Sequence, residues 1–401
     1  MYKKLCGKDN VMQRKILSVA AAVIFTVTAT VTVYAESAEK LCYLENTDKS
    51  GIGVSAVSAI LIEADTGTVL FSKNEKEHRQ IASTTKIMTA LLTLEAGEPD
   101  KEFEVDPTAI KVEGTSMGLR EGDIVTRRAL CYGMLLPSGN DAANAAAVNI
   151  SGSKSQFAKL MNKRAEEIGM NDTNFVTPSG LDADGQYSCA YDLALLTREA
   201  MNNKDFADIC ALSKAKVAFG NPVNERWLVN SNKLLTSYDG CIGVKTGFTD
   251  SARRTLVSCA ERDGVRLIAV TLNAPNDWSD HAKMLDYGFE KVKMCDFTYD
   301  SSRLVLPVIG SDKETVGVKC DSVKLPLCDE QKEKVTVKIY LPGFIYAGLS
   351  AGDKVGEICY ELNGKAIATA ELRATESRVQ TEQKTDFFTV IYKFIAGLLT
   401  R

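Results

Sequence analysis

The chain has 401 residues, 45% of them apolar and 25% charged, which is long enough for two or three folded domains with a sizeable core. Its 48 basic and 52 acidic residues leave a formal net charge of -4, without the basic footprint that a phosphate backbone requires. Nucleic acid is therefore not an expected partner.

At the N-terminus, Lys3, Lys4, Lys8, Arg14 and Lys15 precede an apolar run from Ile16 to Val33, and Tyr34-Ala35-Glu36 follow. This order of charge, apolar stretch and small residues reads as a secretory signal over 1–35, cleaved after Ala35. The run is long enough that an uncleaved membrane anchor is the alternative. Either way the body of the chain lies outside the cytoplasm. The 11 cysteines are scattered singly, and Cys259 in "TLVSCA" sits in an apolar run where cysteine acts as a small hydrophobe. They read mostly as free thiols, with a Cys320–Cys328 bridge left open by spacing.

The stretch "VSAVSAILIEADTGTVLFSKN" gives two strand-like runs joined at Asp65-Thr66-Gly67, a hairpin. "QIASTTKIMTALLTLEAG" then places Ser83 and Lys86 three residues apart at the head of an apolar helix pattern. Ser-x-x-Lys recurs at Ser37, Ser151 and Ser213, and serine is a preferred helix N-cap, so Ser83 is by itself either a nucleophile or a cap. From Ser83 to about Lys233 helical spacing dominates. In "FAKLMNKRAEEIGM", Phe157, Leu160, Met161, Ala165 and Ile168 share a face and Gly169 ends the helix. Strands return in "RRTLVSCAERDGVRLIAVTLNA" around Asp263-Gly264, and "WSDHAKMLDYGFEKV" reads as a closing helix.

A sheet built from both ends of a segment, with helices inserted between antiparallel strands, is an α+β layout that brings distant residues to one cleft. From about Met294 to Val379, short β runs separated by Gly, Asp and Asn point to a separate β-sandwich domain. The final "TDFFTVIYKFIAGLLTR" puts Phe387, Phe388, Ile391, Phe394, Ile395, Leu398 and Leu399 on one side, a pattern suited to lying in a membrane interface. The alternative is a terminal helix packed on its own domain. The segment is too short to span a bilayer.

Three short motifs fall in order: Ser83-Thr84-Thr85-Lys86, Ser138-Gly139-Asn140 in "MLLPSGNDAANA", and Lys245-Thr246-Gly247 in "GVKTGFTD". Ser-x-Asn also occurs at Ser72 to Asn74, so the conjunction is the signal. On one helix Ser83 and Lys86 would lie about 5–6 Å apart at Cβ, within reach of each other. A lysine activates a serine hydroxyl only if burial and nearby cations lower its pKa, and Lys245 would be such a cation. The helix N-terminus would favour negative charge near Ser83. The only histidines, His78 and His281, lie in no nucleophile-type motif, which leaves a Ser-His-Asp triad thinly supported. They read as a surface-loop residue and a helix-start residue. No His/Cys cluster has zinc spacing, so neither metal nor cofactor is expected.

With "DTGTVLFSKN", "FVTPSGLDADGQYSCAYDLALL" and "GFTDSARRTLV" around them, the three motifs resemble the serine D-alanyl-D-alanine carboxypeptidases, the low-molecular-weight penicillin-binding proteins of peptidase family S11. The match covers roughly Val54 to Phe289. It implies a serine β-lactamase/transpeptidase-like domain over 51–292, a small β-sandwich domain over 293–380 and an amphipathic membrane-anchoring helix over 385–401. Carried over by motif, Ser83 would be the acylated nucleophile and Lys86 the general base. Ser138 would relay a proton, Asn140 would bind the substrate's amide backbone, and Lys245 would add positive charge. Thr246 and Gly247 would form the strand edge along which the peptide lies, with Gly247 leaving room for close approach. The backbone N–H groups of Ser83 and Phe248 would form the oxyanion hole.

The resemblance further implies peptidoglycan stem peptides as substrates, β-lactam antibiotics as acylating ligands, and an exported enzyme on the outer face of the cytoplasmic membrane or in the cell wall. There are two departures: Ile81 precedes "AST" where relatives often have another residue, and "NDWSDH" supplies no arginine for the substrate carboxylate. Arg253 and Arg254 are the candidate substitutes. The rival readings are a β-lactamase using Glu166 or Glu167, and a non-catalytic wall-associated scaffold.

Overall fold

The computed structural model describes residues 41–44 and 51–381. The segments read as a signal and as a terminal amphipathic helix, and Cys6 with them, lie outside the described residues.

The N-terminal half of the sheet begins with β1 (Cys42–Tyr43), β2 (Ser58–Glu63) and β3 (Thr68–Lys73). β2 and β3 form the expected antiparallel hairpin through a turn whose Gly67 adopts φ +71°. A 3-10 turn, Ala82–Thr85, then runs directly into α1 (Lys86–Glu95). The helical insertion continues with α2 (Arg127–Leu135), α3 (Asn140–Ser151), α4 (Lys154–Ile168), α5 (Ala190–Asn202) and α6 (Lys204–Cys210). Helix α4 stops at Gly169, which adopts the left-handed φ of +87° that a side chain resists.

Helices dominate the stretch 83–233 as expected, but not without a break. Two antiparallel ribbons interrupt it: β4 (Glu102–Glu104) with β5 (Ile124–Thr126), and β6 (Lys214–Gly220) with β7 (Val223–Val229). In the second ribbon Val217, Phe219 and Leu228 are buried, while Val223, Trp227 and Val229 are exposed. A period of two with Asn221-Pro222 at the turn won over helix.

Three long elements close the sheet: β8 (Cys241–Thr249), β9 (Arg253–Arg262) and β10 (Val265–Leu272). Asp263 and Gly264 both take positive φ, as the tight turn between β9 and β10 requires. The strand order is β1-β3-β2-β10-β9-β8, so β10 pairs antiparallel with β2 and β8 is left at the edge. Alternate residues of β2 enter different cores: Ile60 and Ile62 pack with the helical insertion, Ala59 and Leu61 with α7 (Asp277–Lys291). Helices thus cover both faces, which is why β2 reads as an unbroken apolar run rather than an alternating one.

His281 lies one turn beyond the helix start expected for it. It sits in the second turn of α7, fully buried, between Ser258 Oγ at 2.6 Å and Thr271 Oγ1 at 2.9 Å. Burial lowers its pKa to about 3, so it is a neutral, satisfied core residue. His78 is the expected surface residue, stacked on Tyr187 and bonded to Asp172.

After α7 come β11 (Val292–Phe297), β12 (Val305–Ile309), β13 (Thr315–Cys320) and β14 (Val323–Cys328), then β15 (Val335–Tyr340), β16 (Ile345–Tyr346), β17 (Lys354–Leu362) and β18 (Lys365–Ala374). β11 and β14 pair as a ribbon, and the rest form a six-stranded sheet in the order β15-β17-β18-β13-β12-β16. Cys295, Leu325 and Leu327 of the ribbon share one apolar cluster with Leu306, Val316, Ile358 and Leu372 of the sheet. Gln331 joins this part to the first sheet by donating from Nε2 to Thr68 Oγ1 at 2.9 Å. All ten described cysteines are free, including Cys320 and Cys328, so no bridge joins those two.

Candidate active site

Ser83 lies in the 3-10 turn just before α1, and Lys86 is the first residue of that helix. The cap positions belong to Ile81 and Thr85, neither with a side-chain cap bond, so Ser83 is not the cap. Its hydroxyl faces a cavity of about 480 Å³ also lined by Ser138, Asn140, Thr246, Gly247 and Phe248. The helix that starts three residues later directs its positive end at this point.

Lys86 is completely buried. Its Nζ lies 2.7 Å from Ser83 Oγ, 2.7 Å from Asn140 Oδ1 and 2.6 Å from the Ser179 carbonyl oxygen. Asn140 Nδ2 donates to the Glu113 carbonyl at 2.7 Å, which fixes the amide with Oδ1 towards the lysine. Two of the three neighbours of Nζ can therefore only accept. A neutral amine has two N–H groups and one lone pair, so with both N–H groups occupied the lone pair is left for the Ser83 hydroxyl.

Burial is the main reason that the Lys86 pKa falls well below the ordinary 10.5, and the positive charge of Lys245 lowers it further, against an opposing pull from Asp141. Lys245 is itself lowered to about 7 by burial, and its Nζ donates to the Thr246 carbonyl at 2.9 Å. Both lysines are thus shifted towards the neutral form, and of the two it is Lys86 whose Nζ meets Ser83 Oγ.

The second motif is held by a loop that sequence reasoning did not single out. Asp141 accepts from the backbone N–H groups of Met117, Gly118 and Leu119 and from the Ser116 hydroxyl. Thr115 Oγ1 donates to the Ser138 carbonyl at 2.6 Å, and Asn140 N to the Thr115 carbonyl at 2.7 Å. These bonds hold Ser138 at φ +68°, an unusual conformation for a residue with a side chain. The Ser138 side chain lines the cavity with no hydrogen-bond partner among the described residues.

The Lys245-Thr246-Gly247 motif lies within β8, the free edge of the sheet, ahead of the β9–β10 pair. Lys245 points into the core, while Thr246, held by Ser231 Oγ at 2.7 Å, lines the cavity. A Cβ on Gly247 would stand 2.3 Å from Thr255 Oγ1 and 3.1 Å from Ser83 N. The close approach that Gly247 permits is thus of β8 to Thr255 and to the turn that carries Ser83.

Two functional features escaped the sequence reading although their signal was present in "TPSG". The Ser179 carbonyl is a ligand of the Lys86 amine, and Gly180, at φ +81°, packs so tightly on the turn that an added Cβ would lie 1.9 Å from the Ala82 carbonyl oxygen.

Of the two arginines considered for a carboxylate, Arg254 lines the cavity, pairs with Asp277 Oδ1 at 2.8 Å and lies over the Trp278 ring. Arg253 is exposed beside Phe248. Glu166 and Glu167 stand on the exposed face of α4, where Glu167 pairs with Lys163 and Arg164, and neither lines the cavity. Among the described residues, Asp172, Cys189 and Asp192 bring ligand-type atoms within 4.8 Å of one another. Their bonds from the backbone N–H groups of Asp172 and Asp192 and from the Thr173 hydroxyl account for them as the capped start of α5.

The pattern of the family described as D-alanyl-D-alanine carboxypeptidase matches residues 45–276, and that of the penicillin-binding protein 5 C-terminal domain matches 300–380. The chain is 32% identical over 338 residues to the D-alanyl-D-alanine carboxypeptidase DacF of Bacillus subtilis, covering 82% of this chain and 87% of that protein. It is 30% identical over 334 residues to DacA of Escherichia coli, covering 78% and 81%. Among solved structures, penicillin-binding protein 5 of Haemophilus influenzae superposes with a TM-score of 0.61 at 26% identity, over 82% of this chain and 99% of the other. The Streptomyces K15 DD-transpeptidase superposes with a TM-score of 0.57 at 31% identity, over 60% and 98%. The serine–lysine pair, the strand edge beside it and these matches give one conclusion: the chain belongs to the D-alanyl-D-alanine carboxypeptidases of peptidase family S11.

Proposed function

We propose that the chain removes the terminal D-alanine from peptidoglycan stem peptides, with Ser83 as nucleophile and Lys86 as its base. Ser83 Oγ attacks the carbonyl carbon of the D-Ala-D-Ala bond while Lys86 Nζ takes the hydroxyl proton. The backbone N–H groups of Ser83 and Phe248 hold the oxyanion. Collapse of the tetrahedral intermediate breaks the C–N bond. The proton passes to the leaving nitrogen through Lys86 and Ser138, and D-alanine departs. Water, deprotonated by the same lysine, then cleaves the acyl-enzyme and restores Ser83. A β-lactam ring opens on Ser83 by the same first step. Asn140 both holds Lys86 and, with Thr246 along the β8 edge, receives the peptide; Lys245 supplies the local positive charge.

The observation that carries this reading is the 2.7 Å contact between Lys86 Nζ and Ser83 Oγ, with acceptor-only partners on the remaining protons of the amine. In the same reading, 1–35 is the export signal, 51–292 the catalytic domain, 293–380 a β-sandwich and 385–401 an amphipathic helix. That helix keeps the enzyme on the outer face of the cytoplasmic membrane. The test is D-alanine release from a stem pentapeptide ending in D-Ala-D-Ala, comparing residues 36–401 with the Ser83→Ala variant. Release lost in the variant supports the assignment; equal release from both, or none from either folded protein, overturns it.

A further inference from the structure

One corner of the C-terminal sheet keeps four large apolar side chains in solvent: Ile309 is 48% exposed, Phe344 47%, Tyr346 69% and Val379 74%. Single exposed apolar residues are ordinary, but a contiguous group with two aromatics calls for an occupant. These four are drawn together by backbone pairing. Ile309 of β12 stands opposite Tyr346 of the edge strand β16, and the Phe344 ring meets the Tyr346 ring edge-on at 5.5 Å. Val379 adjoins them because the Arg378 carbonyl accepts from Gly348 N and Leu349 N, while Gln380 bridges to Ser311. At this corner Lys313 and Arg378 both meet Glu376, while the Asp312 carboxylate accepts from the Ser311 hydroxyl and has no cationic partner among the described residues. The apolar group is therefore presented on a hydrogen-bonded frame whose two cations are paired.

The chain leaves the described structure at this corner, where Thr381 N donates to the Gly310 carbonyl at 2.9 Å. Only "EQKTD", residues 382–386, separates it from the apolar and polar pattern that starts at Phe387. Five residues reach at most about 18 Å. We propose that Ile309, Phe344, Tyr346 and Val379 form a second membrane-contact surface, entering the interface of the phospholipid bilayer that residues 387–399 bind. This rests on the reading of 385–401 as the membrane anchor. A tethered neighbour raises the effective concentration of the corner at the lipid surface, and an amphipathic tyrosine suits the headgroup boundary. Two weak attachments together hold a protein on a membrane and fix its orientation, which one attachment does not.

The test uses residues 36–401 with vesicles of phosphatidylethanolamine and phosphatidylglycerol. The double variant Ile309→Ser with Tyr346→Ser should lower the vesicle partition coefficient about tenfold, the loss expected for leaving two half-exposed apolar side chains out of the interface. Independently, Val379→Trp should add emission that brominated acyl chains quench. Wild-type partition in the double variant, or no quenching at position 379, overturns the corner surface. If that happens while a chain ending at 386 fails to bind, the anchor reading survives alone. No binding by the full chain overturns both. A vesicle-free dimer that buries position 379 assigns the corner to a second copy of the chain and overturns the lipid proposal.

Discussion

Lys86 Nζ stands 2.7 Å from Ser83 Oγ in a place where the lysine has no access to water, so the amine that touches the Ser83 hydroxyl is one whose charged form burial disfavours. Lys86→Met keeps the volume and removes the base. Acylation by a fluorescent penicillin should fall about 10²- to 10⁴-fold, the usual worth of general-base help, with the thermal transition retained. In the wild type the acylation rate should rise with pH as Lys86 loses its proton, on a limb well below the ordinary lysine value, because only the neutral amine accepts the serine proton.

Lys245 gives a case in which stability and activity move in opposite directions. Its folded pKa of about 7 lies below the ordinary 10.5, so below pH 7 both folded and unfolded chains carry the proton and the fold bears the full cost of burying a charge. Between pH 7 and 10.5 the unfolded chain holds more protons, and stability rises with pH. Lys245→Met should therefore raise the melting temperature at pH 6 and lose that advantage towards pH 10, while slowing penicillin acylation at pH 6, where the wild-type group is charged. An unchanged melting temperature at pH 6 would count against the buried charge.

Glu63 sets a second pH dependence, with the opposite sign. Burial raises its carboxyl from 4.5 to about 7, although bonds from Thr66 and Asp65 favour the anion. The folded state then binds more protons between these values. Its stabilising contribution is complete below pH 4.5 and is lost as pH rises through 7. Thr66 Oγ1 touches Thr68 Oγ1, and Thr68 accepts from Gln331, so the same group bears on the junction with the C-terminal sheet. Urea unfolding of Glu63→Gln should show a flatter stability profile from pH 4.5 to 7 than the wild type.

Two glycines beside the nucleophile turn should differ in what a methyl group costs. In Gly180→Ala the new Cβ meets the Ala82 carbonyl oxygen in a conformation of positive φ, so backbone must move. In Gly247→Ala, at ordinary φ, the nearest atom is a side-chain one, Thr255 Oγ1 at 2.3 Å, and the nearest backbone atom, Ser83 N, is 3.1 Å away. Overpacking costs about 1–3 kcal/mol, and Gly180→Ala belongs at the upper end. Penicillin acylation should drop more in Gly180→Ala than in Gly247→Ala, with equal losses refuting the distinction.

Much of this molecule was legible in one dimension because the signals were local. The turns at Gly67 and Asp263-Gly264, the stop of α4 at Gly169 and the closing helix follow from residues that fix φ or repeat at a helical period. The family, too, was evident in three motifs whose order and context are rare together. The β6–β7 ribbon was missed because its alternation lies in a stretch dominated by helical spacing, and the full burial of His281 was not legible because burial is set by what packs over a residue rather than by its neighbours in sequence. The site shows the same division. The sequence by itself singled out the groups proposed to carry the chemistry: a serine, a lysine one helical turn away, and a second lysine on a strand. Only the tertiary structure decided that Lys86 is buried, that Asn140 Oδ1 and the Ser179 carbonyl occupy its N–H groups, and that Lys245 lies close enough to lower its pKa. A pKa and the direction of a lone pair depend on solvent exclusion and on partners brought from 54 and 93 residues along the chain, and no short stretch of sequence contains either.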